Sequence, residues 1–121
     1  MKTITLSGIF QALVGTGMIA FWMLAYVRGG IPELETEIFR ISMHMMAELC
    51  TAILLLLSAF YILLKKQLKG SIFYFSMGAL IYTLIASPGY FAQLDQWGIV
   101  SLFLVMLAIS TALLVAQEKE V

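Results

Sequence analysis

The chain is 121 residues long, 62% hydrophobic and only 12% charged, with a formal net charge of zero. That charged fraction is about half that of an ordinary soluble domain, and the mean hydropathy is +1.00, which excludes a water-soluble fold because so small a chain cannot cover that much apolar surface. No basic block is present to neutralise phosphates, so nucleic acid is excluded as a partner.

A bilayer core about 30 Å thick needs about 20 helical residues, and the chain offers four such runs. The first, over about 4–27, continues too long to be the short apolar core of a signal peptide. It is expected to be retained as a transmembrane helix. Gly8, Ala12, Gly15 and Gly17 make it thin, which allows a neighbouring helix to approach closely. Thr3, Ser7, Gln11, Gly15, Met18 and Trp22 share one face, and Gln11 is the strong hydrogen-bonding group on it.

The second helix is predicted over about 34–66, with Pro32 just before it. Glu33, Glu35 and Glu37 stand near its start, where carboxylates meet the positive end of the helix dipole; capping and solvation explain them. Further on, Glu37, Arg40, His44, Glu48, Thr51, Leu55 and Ser58 recur at steps of three and four, so one face of this helix is polar for most of its length. The other faces are Ile, Leu, Met and Phe. A polar stripe of this kind faces a bundle interior, a water-filled cavity or another chain, because exposure to lipid is costly.

Depth separates the members of the stripe. Arg40 is near the helix end and can snorkel to the interface. Glu48 lies about 15 Å further along the axis than Ile38, near the middle of the bilayer. A charged side chain there costs about 2.5–3.5 kcal/mol on insertion scales, so Glu48 needs a partner or a proton. His44, one turn away, is within reach, and Arg40 beyond it extends the set to a ladder of three. Glu48 is thus the expected titrating group, His44 its proton partner and Arg40 the electrostatic guide. Cys50 has no second cysteine to pair with and sits in an apolar run, where a thiol behaves as a small hydrophobe.

The third helix is predicted over about 71–87 and is the shortest of the four. Tyr82 and Thr83 are mid-span, and Tyr82 is a candidate donor to Glu48. Ser87, Pro88 and Gly89 end it. The link "PGYFAQLDQW" carries Tyr90, Phe91 and Trp97, which suit a membrane–water boundary, and Asp95. Tyr90, Asp95 and Trp97 are candidates for a lid over a pocket lined by Arg40, His44 and Glu48. The fourth helix is predicted over about 98–116.

Short links force an antiparallel bundle of four transmembrane helices, so the fold class is an all-α integral membrane protein. The termini and the "KKQLKG" loop share a side that holds five Lys or Arg against two on the other. That asymmetry places the N- and C-termini in the cytoplasm.

The size and the single deep glutamate resemble the plan of small four-span multidrug transporters. The resemblance is one of architecture. Those proteins carry the glutamate on the first helix, where this chain has Gln11, and here Glu48 stands on the second. No activity or site residue is carried over.

Three functions remain open. The first is binding or transport of a small molecule or protons, modulated by pH, in an intramembrane pocket built from Glu48, His44, Arg40, Gln11, Tyr82 and Thr51. The second is a small membrane enzyme acting on a lipid or quinone-like substrate, with His44 and Glu48 as acid and base. The third is a non-catalytic subunit of a membrane complex. No cofactor is expected. One histidine per chain means that a metal or haem site would have to be shared between chains. The expected surroundings are membrane lipid and a second copy of the chain, since four helices enclose little interior.

Overall fold

The computed structural model describes residues 2–120. The described chain is helical, with no strand among those residues: α1 (Thr3–Val27), α2 (Glu33–Thr36), α3 (Ile38–Leu63), α4 (Gly70–Ala86), α5 (Pro88–Gln93) and α6 (Trp97–Glu120). Four segments are long and apolar enough to cross a membrane: α1, α3, α4 continued through α5, and α6. The protein is an integral membrane protein built as a four-helix bundle. One end of the bundle holds both termini and the loop after α3, and is called here the terminal end. The other holds α2 and the turn after α5, and is called the Glu33 end.

The helices form a ring in the order α1, α3, α4, α6 and back to α1, so α1 and α4 stand diagonally, as do α3 and α6. The α1–α3 pair is the most extensive. A methyl group placed on Gly15 would come within 3.0 Å of the Ala52 carbonyl oxygen, and one on Gly8 within 2.7 Å of Ile62. The absence of a side chain at those positions is what lets the two backbones meet. Gly17 differs, since nothing lies within 4 Å of the same position there.

The core at the terminal half is built from Leu55, Ile62, Phe73, Met77, Leu80 and Leu84. A second cluster, Trp22, Ile31 and Ile41, closes the α1–α2–α3 corner at the Glu33 end. Much of the remaining apolar surface points outward, as in Leu13, Met43, Ile53 and Phe75. In lipid that arrangement carries no penalty, which is why α6 spans with only two residues buried, Ser110 and Gln117.

Three local differences from the sequence expectation have identifiable causes. The helix expected over 34–66 breaks at Glu37, whose backbone (φ −138°, ψ 56°) leaves the helical region, so α2 is a separate turn folded against α3. Beyond Ala86 the chain does not simply end its helix. Pro88 takes the first position of α5, where its missing N–H is no loss, and the span continues to Gln93. The last helix runs on to Glu120, because Thr3 donates to Glu120 (2.8 Å) and Tyr74 to Glu118 (3.0 Å), which anchors its final turn to α1 and α4.

Candidate functional site

Glu48 is 8% exposed and sits where three spans converge. Its Oε1 accepts from Ser87 Oγ (2.9 Å) and Thr83 Oγ1 (3.1 Å), and His44 Nε2 lies 3.5 Å away. Its Oε2 accepts from Trp22 Nε1 (3.1 Å). The hydrogen-bond donors come from α1, from α4 and from the α4–α5 junction, so this one carboxylate on α3 ties its helix to two others. A carboxylate offers about four acceptor positions; here three take hydrogen bonds, two on Oε1 and one on Oε2, and His44 stands beside Oε1. Buried polar groups of this kind are tolerated in a membrane interior because every partner is supplied from within the protein.

The local geometry follows from helix periodicity. His44 precedes Glu48 by one turn of α3, and Trp22 packs its ring edge-on to His44 with centroids 5.8 Å apart. Thr83 and Ser87 are one turn apart on α4 and share a face with the buried Ser76 and Leu80. Ser87 is held toward Glu48 at the point where Pro88 redirects the chain.

Glu48 and His44 lie at the floor of a cavity of about 860 Å³ that opens toward the Glu33 end. That volume is in the range of pockets that hold drug-sized molecules. Its mouth is set by Glu33, Glu37, Arg40 and Tyr90. Tyr90 donates to Glu33 Oε1 at 2.7 Å, which fastens α5 to α2. Arg40 is paired with Glu37 at 3.1 Å. An aromatic row lines the wall: Phe21 packs edge-on against Trp22 and Phe91, and Phe91 against Phe103. Leu55, Leu80 and Leu84 are buried next to Glu48 and surround its site with apolar packing.

The expected site residues are distributed unevenly. His44, Glu48, Arg40 and Tyr90 line the cavity. Arg40 does not complete a ladder with His44 and Glu48. Its guanidinium is largely exposed and turned to Glu37, where water solvates it better than the interior would. Gln11 does not line the cavity; it is fully buried and donates from Nε2 to Ser76 Oγ at 3.0 Å across the α1–α4 diagonal. Thr51 is buried, but its hydroxyl donates to the Ala47 carbonyl of its own helix (2.9 Å). Tyr82 is 74% exposed on the outer side of α4, and its neighbour Thr83 makes the bond to Glu48 instead.

Asp95 and Trp97 do not line the cavity. Asp95 has φ 58° and ends α5. Gln96 N–H bonds the Phe91 carbonyl and Asp95 N–H the Ala92 carbonyl, the paired closure that suits a short polar residue in the left-handed conformation. Of the proposed lid, the element that covers the mouth is α5 through Gly89, Tyr90 and Phe91.

The residues that sequence reasoning undervalued are Trp22, Ser87 and Glu33. Trp22 stands on the same α1 face as Gln11, whose amide is the stronger hydrogen-bonding group by sequence. Ser87 reads as part of a helix stop. The spacing of Ser76, Thr83 and Ser87 on one face of α4, with Tyr82 off it, was the available signal.

Among the described residues no group of three His, Cys, Asp or Glu side chains is placed to hold a metal ion. Over residues 1–121 the chain matches a family described as "Domain of unknown function (DUF8058)". The chain belongs to that family. No curated protein and no solved structure matched the chain.

Proposed function

We propose that the protein binds a small molecule in the cavity above Glu48, with the Glu48–His44 pair as its proton-exchanging element, and that binding serves transport. The observation that carries this reading is a buried carboxylate on one span, held by hydrogen-bond donors from two others, beside a cavity of about 860 Å³ inside a membrane bundle. An ionisable group at that depth is costly, and a pure packing role would not call for an open cavity beside it. A lysine-rich terminal end, with Lys2, Lys65, Lys66, Lys69 and Lys119, favours a cytoplasmic location for both termini. A homodimer would supply the remaining interior.

Native mass spectrometry of gently solubilised protein tests the reading, because it reports subunit number and retained small molecules together. A retained mass that is lost from Glu48→Gln, with the subunit number unchanged, is the expected result. Identical adducts in wild type, Glu48→Gln and His44→Ala overturn it.

A further inference from the structure

The cavity is chemically lopsided. Its charged groups stand on α2 and α3 and further polar side chains on α5 and the α4–α5 junction, whereas the facing wall, apart from the Trp22 N–H that is bonded to Glu48, is apolar. That wall is made by Leu13, Met18 and Phe21 of α1 and by Leu102, Phe103 and Met106 of α6. Thr3 and Glu120 join α1 to α6 at the terminal end, and the cavity parts the same two helices toward the Glu33 end. Leu13 and Leu102 both line the cavity and are 69% and 54% exposed, so they form the rims of a sideways gap. Gly17 lines it too, with open space where a side chain would stand. In a membrane such a gap faces acyl chains.

Among the described residues one charge that lines the cavity lacks a counter-charge. Glu33, Glu37, Arg40, His44 and Glu48 line the cavity. Arg40 is taken by Glu37, and His44 stands against Glu48. Glu48 already has three hydrogen-bond donors besides His44. Glu33 is left over: its Oε1 accepts from the neutral hydroxyl of Tyr90, and its Oε2 is buried with no donor among the described residues. A buried carboxylate oxygen without a donor is costly and calls for a partner from outside. The last side-chain torsion of a glutamate is soft, so a small turn presents that oxygen to the cavity.

We infer that the ligand is a cationic amphiphile with an amine head. Its N–H groups meet Glu33 at the mouth, its chain lies between α1 and α6, and it arrives from the bilayer through the gap between them. This rests on the cavity being a binding site, as proposed above. The rings of Phe21, Phe91 and Phe103 give the apolar part a rigid wall, and the unneutralised carboxylate selects the charge.

The test uses the full chain in phosphatidylcholine nanodiscs and a dodecylammonium probe carrying a photoreactive diazirine at its chain end, with peptide mapping after illumination. Labelling is expected within 13–18 and 99–106. Dodecylammonium should compete it, and dodecanol should not. Glu33→Gln should weaken that competition by about tenfold or more, the loss expected for one charge-assisted bond. Gly17→Leu should abolish the labelling by filling the gap. Equal competition by dodecanol, or unchanged competition in Glu33→Gln, overturns the amine assignment. Labelling spread over the lipid-facing side of α3, at Met43 and Ile53, overturns the gap. A retained mass that depends on Glu48, together with no labelling in the gap, overturns this inference and leaves the pocket reading standing. Absence of both overturns both.

Discussion

Trp22→Phe isolates a single hydrogen bond in the site. Among the described residues the indole N–H is the one donor to Glu48 Oε2, at 3.1 Å. Phenylalanine keeps an aromatic ring against Phe21 and His44 and removes the donor. Leaving a buried acceptor unpaired costs about 1–3 kcal/mol in general. Hydrogen bonds between membrane helices measured by double-mutant cycles average about 0.6 and reach about 1.7 kcal/mol, because the separated helices find other partners. The other oxygen of Glu48 already accepts from Thr83 and Ser87, and Leu55, Leu80 and Leu84 beside it offer no replacement donor. The Trp22–Glu48 coupling therefore belongs at the upper end, about 1–1.7 kcal/mol. The assay is denaturant unfolding of wild type, Trp22→Phe, Glu48→Leu and the double variant in mixed micelles, leucine being chosen because it leaves no acceptor for the indole N–H. Additivity of the two substitutions within about 0.3 kcal/mol would refute the assignment of Glu48 as the hub of the three helices.

Other substitutions separate neighbours that look alike in sequence. Gly15→Leu should cost about 3 kcal/mol or more, because backbone at Ala52 cannot yield, whereas Gly17→Leu should keep the wild-type unfolding midpoint; the clash distances at the two sites are 3.0 Å and nothing within 4 Å. Tyr82→Ala should change stability by less than about 0.5 kcal/mol, and Thr83→Val should cost about 1 kcal/mol and alter any signal that reports Glu48; equal effects would contradict the placement of Tyr82 outward. Gln11→Leu should be neutral or stabilising in the same unfolding assay. It removes a buried carbonyl oxygen that has no donor among the described residues, and Ser76 keeps its 2.9 Å bond to the Phe73 carbonyl. A loss above about 2 kcal/mol would show that the diagonal Gln11–Ser76 bond carries the bundle.

Hydrophobicity and period alone determined that the chain spans a membrane with four helices, and that α3 carries its polar groups on one face. Both are local properties: about 20 apolar residues suffice to cross, and a 3.6-residue repeat places Glu37, Arg40, His44, Glu48 and Thr51 in line. The stripe then divided according to what faced it. Glu48 found Trp22, Thr83 and Ser87, Arg40 turned to Glu37 and the mouth, and Thr51 bonded its own helix. The rotation of α4 decided between Tyr82 and Thr83, and its continuation past Pro88 brought Ser87 to the site and Tyr90 to Glu33. Glu33 reads from sequence as a solvated helix start, and only the folding of α2 back against α3 made it a cavity residue with an oxygen that has no donor among the described residues. In a lipid-facing bundle nearly every face is apolar, so pattern identifies the spans but does not say which face each helix turns inward. That choice is made by close approach at Gly8 and Gly15 and by the few polar groups that must find one another.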